Sequence, residues 1–378
     1  MCGPERTRQP GCDRKVRPPP TREAEPVTAS EGRASGRAGG AKRRPTMADV
    51  AREAGVNAST VSRAMDERHS FSRSDTAARI KEVAQRIGYS PNPAAASLRR
   101  QSTRTIGVVV SRLSDTVMAI LYEEIAEACR DHGLHALVAI THDEPAAEAV
   151  QGRLLLDRMV DGLVLATARL DSESDLVREL AARDIPYALA LRTDGRGPAS
   201  VGDDKLGGYL AARHLIDLGH RRIALIAGPS YASNPVGRME GYRTALREAG
   251  IAVDERLVRP SEFSMESGER VATELLSGLS AGERPTAVMT VNDNTAVGVL
   301  AAARRLGISI PGELSLVGYN DTPLAARLPI PLTSVRVPLR EIGRGAVDIL
   351  LRSIEGRPTT SSVYAPTLIP RESSTPAP

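Results

Sequence analysis

The sequence has few cysteine and aromatic residues and no long apolar run. Tryptophan is absent, and 378 residues contain two phenylalanines and three cysteines. Cys2 and Cys12 lie in an irregular start and Cys129 is far from both, so the cysteines form neither a disulfide framework nor a zinc-binding spacing. No apolar stretch approaches the ~20 residues of a membrane-spanning helix, and the polar start lacks a secretory apolar segment. We therefore expect a soluble, cytoplasmic protein with no membrane partner.

The sequence motifs of several large enzyme classes are also missing. There is no Gly-x-Gly-x-x-Gly fingerprint after the first predicted strand, no P-loop and no nucleophile elbow. His132, His135 and His142 are close in sequence, but they fall at a helix end, a strand start and a loop, so we do not expect them to converge on a metal. The sequence predicts no enzyme, no metal site and no cofactor.

Charge is unevenly distributed along the chain. Basic residues outnumber acidic ones by six in residues 1–45 and by four in 46–105, whereas residues 106–378 have a net charge of −6. A basic front favours binding of a polyanion, although segments of this size also differ in charge by chance. Residues 1–45 contain seven prolines, six glycines and almost no apolar residues, so we expect a disordered basic extension.

A compact helical pattern follows the extension. The first helix begins after Thr46, a good N-cap residue, and ends at Gly55, where glycine suits the left-handed C-terminal position. A second helix is predicted over residues 57–65 and a third over 75–87. Two short helices joined by a glycine-containing turn are typical of a helix-turn-helix, and we assign it to residues 46–92.

From Ile106 onward, apolar runs alternate with helical patterns. Runs such as residues 106–110 are continuously apolar, as in the buried strands of a parallel sheet. The alternation predicts an α/β fold, and the remaining ~270 residues exceed one sheet, so we expect two lobes. We expect residues 373–378 to form a disordered tail.

Ordered motifs within this pattern resemble a known family. Residues 46–64 read TMADVAREAGVNASTVSRA, and they are followed by GYSPN at residues 88–92 and by AASLR at 95–99. This chain is similar to the lactose/galactose repressor (LacI/GalR) family of transcription factors over about residues 46–372. The resemblance implies a hinge helix and linker at residues 93–105. It also implies a two-lobed α/β effector-binding and dimerisation domain, like periplasmic binding proteins, at residues 106–372.

The resemblance also implies a function. A homodimeric repressor of this kind binds double-stranded operator DNA, and a small-molecule effector bound between the lobes, here a sugar, changes its affinity for the operator. The absence of leucine heptads after Arg371 favours a dimer over a tetramer closed by a coiled coil. Control by a protein corepressor in place of a sugar is the alternative.

By this resemblance, DNA is read by the start of the second helix. Ala58 and Ser59 are the main sequence-reading positions, and Arg63 is the arginine that contacts guanine. A bidentate contact between guanidinium and guanine contributes ~1–3 kcal/mol of discrimination between bases. Four further residues are candidates for phosphate contacts, although their positions at helix starts explain them equally well: Thr46, Asn57, Thr60 and Ser62.

The hinge segment supplies the second set of DNA contacts. Leu98 is implied to insert as a wedge into the minor groove, unstacking a base step and bending the duplex. Neighbouring residues Asn92, Ser97 and Arg99 complete this set. Ala96 stands where the family often has arginine, which puts one contact of the hinge in doubt.

The effector site is expected where strands end, because ligands of open α/β sheets bind beyond the carboxyl ends of the strands. The residues implied to contact the effector are Asp115, Arg192, Asn234, Arg238, Phe263 and Asp293. Both aspartates are also plausible helix caps, and the phenylalanine is also a plausible core residue. Met118 stands where the family commonly has an aromatic ring, which argues against a planar base as ligand and favours a hydroxyl-rich molecule.

Overall fold

The chain forms two compact units, which meet in sequence at residues 90 and 91. The computed structural model describes residues 45–66, 70–90, 102–172, 174–280 and 282–378. The predicted basic extension up to residue 44 and the hinge helix lie outside the described residues. Within the described part, no helix combines the length and the apolar character needed to cross a membrane.

The first unit is a small bundle of helices. Its helices are α1 (Met47–Ala54), α2 (Ala58–Met65) and α3 (Asp75–Ile87), which match the prediction closely. The three helices pack through fully buried side chains from each of them, including those of Val50 and Ile80.

The turn between α1 and α2 is fixed by local chemistry at both ends of α1. The backbone N–H of Thr46 donates to Asp49 Oδ2 over 2.8 Å, and the Thr46 hydroxyl accepts from the Asp49 N–H. At the other end Gly55 has φ of 67°, a conformation that costs glycine little. The sequence therefore sets where α1 begins and where the chain turns into α2.

The second unit alternates strands and helices, as predicted. Its strands are β1 (Thr105–Val110), β2 (His135–Ile140), β3 (Gly162–Leu165), β4 (Tyr187–Ala190), β5 (Ala199–Gly202), β6 (Ile223–Ala227), β7 (Val258–Pro260), β8 (Ala287–Thr290), β9 (Ser315–Asn320), β10 (Thr333–Arg336), β11 (Ser362–Tyr364) and β12 (Thr367–Ile369). Its helices are α4 (Thr116–Asp131), α5 (Pro145–Asp157), α6 (Asp175–Ala182), α7 (Asp204–Asp217), α8 (Ser233–Glu248), α9 (Met265–Ser277), α10 (Asp293–Leu306) and α11 (Leu339–Ile354). Short 3₁₀ turns complete the connections.

These elements build two lobes, each around its own sheet. The sheet of the first lobe has the order β11-β5-β4-β3-β1-β2 and is parallel throughout. The sheet of the second lobe has the order β12-β10-β9-β8-β6-β7, and only β12 is antiparallel to its neighbour. The chain passes between the lobes three times: after β5, after β10 and after β11.

Glycines allow α7 and α8 to pack with their backbones in contact. A Cβ atom on Gly208 of α7 would collide with the Arg238 carbonyl oxygen, and one on Gly241 of α8 would collide with the Lys205 carbonyl oxygen. Close approach of this kind requires residues without a side chain. It places the first turn of α7 directly beside the first turns of α8.

The prediction of a disordered tail at residues 373–378 is wrong. Ser373 is fully buried, and its hydroxyl donates to the Leu316 carbonyl (2.6 Å) and accepts from the Thr333 N–H (2.9 Å). The Thr375 N–H donates to a serine hydroxyl of β9 over 3.0 Å. The polar composition of the segment was a poor guide because these groups satisfy buried backbone positions at the end of the second sheet.

Candidate functional site: an exposed helix and a cleft between two lobes

The start of α2 presents the predicted sequence-reading residues to solvent. Ala58, Ser59 and Arg63 are all exposed, and a separation of four residues puts Arg63 on the same face of the helix as Ser59. The Arg63 guanidinium carbon lies 5.7 Å from the centre of the Phe71 ring, close enough for a cation–π contact that supports the side chain.

The candidate phosphate contacts of this unit differ in their availability. The Thr46 side chain is engaged in the capping box of α1. Asn57 occupies the N-cap position of α2 without a capping hydrogen bond from its side chain, and it is exposed. Thr60 and Ser62 are half-buried. Asn57 is thus the clearest candidate of the four.

The hinge candidates lie outside the described residues. They are Asn92, Ser97, Leu98 and Arg99. Their proposed contacts therefore remain predictions from the sequence.

A cleft of about 290 Å³, measured to include its opening to solvent, lies where strands and helix starts of the two lobes meet. The residues that line it are Asp115, Val117, Met118, Leu191, Arg192, Asn234, Arg238, Phe263, Asn292 and Asn320. Five of the six predicted effector residues are among them.

Asp115 both lines the cleft and caps the helix α4. One oxygen of its carboxylate, Oδ1, caps α4 by accepting from the Val117 N–H over 3.0 Å. Burial raises the pKa of Asp115, an effect that this capping bond and the nearby Arg192 charge oppose. A carboxylate has several lone pairs, so a capping residue still accepts hydrogen bonds from a ligand.

Arg192 is buried in the first lobe and paired with a carboxylate. It follows β4, is 2% exposed, and donates through both terminal nitrogens to the two oxygens of Asp143, over 2.8 and 3.0 Å. Its guanidinium carbon lies 5.1 Å from the centre of the Phe263 ring, which belongs to the second lobe. Its Nε has no hydrogen-bond partner. A buried donor without a protein partner is costly unless another group or water accepts from it.

Arg238 has a similar arrangement in the second lobe. Its Nε donates to Asp204 Oδ1 over 2.9 Å, its Nη1 donates to the Val291 carbonyl (2.5 Å), and its guanidinium carbon stacks 3.7 Å from the centre of the Tyr319 ring. Burial raises the pKa of Asp204, against the lowering effect of the arginine. The glycine contacts between α7 and α8 bring the partners of this ion pair together.

Asn234 lies one turn before Arg238 on α8 and is also buried. Its Oδ1 has no hydrogen-bond partner. The cleft therefore contains an unpartnered donor from one lobe and an unpartnered acceptor from the other.

Asp293 is not among the residues that line the cleft. Its carboxylate is turned into the second lobe, where Oδ2 accepts from the Thr322 N–H (2.7 Å) and Oδ1 accepts from the Ser334 hydroxyl (2.6 Å). Burial raises the pKa of Asp293 to about 6. Its neighbour Asn292 lines the cleft instead; its side chain caps α10 and donates to the Phe263 carbonyl over 3.0 Å.

Contacts across the cleft are concentrated at Tyr231, in the loop before α8. Its hydroxyl donates to Asp143 Oδ2 (3.2 Å), and its carbonyl accepts from the Leu170 N–H (2.7 Å). The Arg169 guanidinium carbon stacks 3.8 Å from the centre of its ring. A loop of the second lobe thereby holds the first lobe through the same carboxylate that pairs with Arg192.

Two family models match the chain in the order of its units. Residues 46–92 match bacterial regulatory proteins of the lacI family, and residues 212–374 match the periplasmic binding protein-like domain. Over 336 residues the chain is 34% identical to the HTH-type transcriptional regulator DegA of Bacillus subtilis (strain 168), covering 88% of this chain and 98% of DegA. The chain belongs to the LacI family.

Solved structures agree with this assignment. The lac repressor dimer bound to operator and the anti-inducer ONPF matches this LacI-family chain with a TM-score of 0.78 and 25% identity, covering 88% of this chain and all of that one. The complex of the transcriptional regulator CelR with cellobiose matches with a TM-score of 0.66 and 31% identity, covering 87% and all of that chain.

Family membership confirms the predicted class of function. This LacI-family protein is a DNA-binding transcriptional regulator and not an enzyme. The predicted architecture, a helix-turn-helix domain followed by a two-lobed α/β domain, is confirmed as well.

Several residues in and around the cleft of this LacI-family chain were not predicted from the sequence. Asn292 lies two residues beyond the carboxyl end of β8 and Asn320 is the last residue of β9, so the strand-end rule was sufficient to find them. Asp143 and Tyr231 carried no such signal, because their importance depends on a contact between residues 88 positions apart.

The buried carboxyl of Asp293 predicts a measurable pH dependence of stability. With a folded pKa of about 6 against an ordinary 3.8, the folded protein binds more protons than the unfolded one between these values. The free energy of unfolding should therefore fall as pH rises from 3 to 7, by ~3 kcal/mol at ~1.4 kcal/mol per pKa unit. Asp293→Asn should lack this component, which urea unfolding of both proteins across this pH range would measure. Parallel pH curves for the two proteins would contradict it.

Proposed function

We propose that this protein is a homodimeric repressor that binds a palindromic operator through α2 and changes its operator affinity when a small sugar binds in the cleft. The observation that carries the proposal is the pair of unpartnered polar atoms, Arg192 Nε and Asn234 Oδ1, in a cleft between lobes of a DNA-binding regulator. Buried polar atoms of this kind are satisfied by a ligand or by ordered water, and these two lie in the cleft where the family fold places the effector.

The DNA-binding step is assigned to the exposed face of α2. A helix of this kind enters the major groove by its N-terminal end. Arg63 reads guanine with two hydrogen bonds, Ala58 offers a methyl group to thymine, and Ser59 donates or accepts. Asn57, Thr46, Thr60 and Ser62 contact phosphates, and the hinge residues around Leu98 widen the minor groove between the half-sites.

A sugar fits the cleft in chemistry. A hydroxyl group both donates and accepts, so it satisfies the free donor of Arg192 and the free acceptor of Asn234. Phe263 supplies an apolar face from the second lobe. The structure of a similar regulator, CelR, is a complex with cellobiose, which supports a sugar as the effector class.

Coupling between the cleft and DNA requires that the ligand favours one arrangement of the lobes. The cleft residues come from both lobes, and Tyr231 already joins the lobes through Asp143. A ligand that changes the lobe contacts changes operator affinity only by its differential affinity for the two arrangements, and a 100-fold change requires ~2.7 kcal/mol.

The homodimer is assigned to an exposed apolar segment of the first lobe. Five large apolar side chains there are between 36 and 62% exposed: Leu137, Ile140, Val150, Leu154 and Met159. They lie on the edge strand β2 and on α5 and its end. Concentrated exposed apolar residues are typical of a protein interface, and a second copy of the chain supplies the symmetry that a palindromic operator requires.

The DNA-binding proposal predicts a defined operator and a specific role for Arg63. Selection from random duplex DNA at fixed salt should enrich a palindrome with a central pyrimidine–purine step. Arg63→Ala should then weaken binding to the selected operator by ~1–3 kcal/mol while changing binding to random DNA much less.

The matched control for this substitution is Arg86→Ala. Arg86 is an exposed arginine of α3 that pairs with Glu53, and its loss should leave the preference for the operator intact. Equal losses on operator and random DNA for Arg63→Ala would reduce this arginine to a general electrostatic contact. Failure to enrich any sequence would contradict sequence-specific binding by the isolated protein.

The dimer proposal predicts that charge on α5 separates the subunits. Val150→Asp and Leu154→Asp, one turn apart on the same face, should weaken dimerisation at least 10-fold because each would bury a carboxylate in an apolar interface. Val363→Asp is the control, since Val363 is 64% exposed on the opposite edge of the same sheet. Sedimentation velocity measures the dimer fraction. Unchanged dimers in both α5 variants would place the interface elsewhere.

A further inference from the structure

Each of the two arginines that line the cleft is already neutralised by a carboxylate of the protein. Arg192 pairs through both terminal nitrogens with Asp143, with exposed fractions of 2% and 17% for the two side chains. Arg238 pairs with Asp204, with exposed fractions of 3% and 13%. Neither arginine therefore offers an uncompensated positive charge to a ligand.

The remaining charge of the cleft is negative. Apart from the two arginines, Asp115 is the charged member of the lining set, and the other lining residues are apolar side chains and amides. With both ion pairs counted, the ionised site has a net charge of −1. A phosphate or carboxylate group would enter a buried site that has no spare cation, and it would meet a second anion there.

Displacing the carboxylate of Asp143 from Arg192 is also costly. Asp143 Oδ2 accepts from the Tyr231 hydroxyl of the second lobe while it accepts from Arg192 of the first. An anionic ligand that took its place on the arginine would leave a partly buried carboxylate without its ion pair and would disturb its contact with the second lobe. Removing one partner of a buried pair is strongly unfavourable.

The two unpartnered atoms of the cleft also favour hydroxyl groups over an anionic group. Arg192 Nε requires an acceptor and Asn234 Oδ1 requires a donor. Hydroxyl groups supply both functions, whereas an ionised carboxylate or phosphate placed at the amide oxygen would only accept, so these two atoms require hydroxyl groups of the ligand.

We propose that the cleft takes an uncharged polyhydroxy ligand and excludes phosphorylated and carboxylated sugars, and that Asp143 and Asp204 set this selectivity by neutralising the two arginines. The inference rests on the proposed function for the location of the site, and it adds the charge of the ligand. Asp143 acts through Arg192 and is a selectivity-determining positioning residue.

The test compares matched neutral and anionic probes on the full chain. The probes are D-ribose with ribose 5-phosphate, D-glucose with glucose 6-phosphate and D-glucuronate, and inorganic phosphate alone, each measured by calorimetry and thermal shift. In the wild-type protein, each anionic sugar should bind at least 10-fold more weakly than its neutral counterpart. Asp143→Asn should increase affinity for inorganic phosphate at least 10-fold, because it leaves the Arg192 charge unpaired in the cleft.

Three further variants keep this test decisive. Asp204→Asn should produce the same gain at Arg238, which provides a second route if Asp143→Asn does not fold. Asp143→Asn combined with Arg192→Met should lose the gain. Asp217→Asn, which frees the exposed Arg213 from its ion pair, should show no gain.

Two results would overturn the proposal. One is a wild-type protein that binds a phosphorylated or carboxylated sugar as tightly as its neutral counterpart, or more tightly. The other is a folded Asp143→Asn or Asp204→Asn protein with unchanged phosphate affinity. If phosphate binding appears in both variants while no neutral sugar binds the wild type, the charge selectivity is supported and the sugar proposal alone fails.

Discussion

The ion pair between Arg192 and Asp143 is the interaction on which the cleft depends. It holds a buried guanidinium in the first lobe, and the same carboxylate accepts a hydrogen bond from Tyr231 of the second lobe. Asp143 contacts both Arg192, which lines the cleft, and Tyr231, which belongs to the second lobe. A ligand that changes the contacts of Arg192 therefore also acts on the contact between the lobes. Through Asp143, binding in the cleft can be coupled to the relative position of the two lobes.

The second half of the cleft is set by backbone packing. Gly208 and Gly241 let α7 and α8 approach so closely that Asp204, at the start of α7, reaches Arg238 on α8. Helix packing thus fixes one arginine, and a loop carboxylate fixes the other. In both cases the protein supplies the counter-charge itself and leaves hydrogen bonding for the ligand.

The sequence predicted the fold well because the relevant signals are local. Helix caps such as Thr46 and Gly55 and continuous apolar strands fixed element bounds to within a few residues. The rule that ligands meet strand ends also found most of the cleft. Asp293 does not line the cleft because its carboxylate accepts from Thr322 and Ser334 inside the second lobe. The order of Ser373 was not foreseen because its partners lie 40 and 57 positions away in the chain.

The proposed function requires that ligand binding in the cleft changes the affinity of the protein for DNA. The decisive measurement is the affinity for the selected operator, at fixed salt, with and without a saturating concentration of a neutral sugar shown by calorimetry to bind. We predict a change of at least 10-fold, which corresponds to ~1.4 kcal/mol of coupling and should be lost when Arg192→Met abolishes binding of the sugar. A sugar that saturates the cleft and leaves operator affinity unchanged would contradict the account.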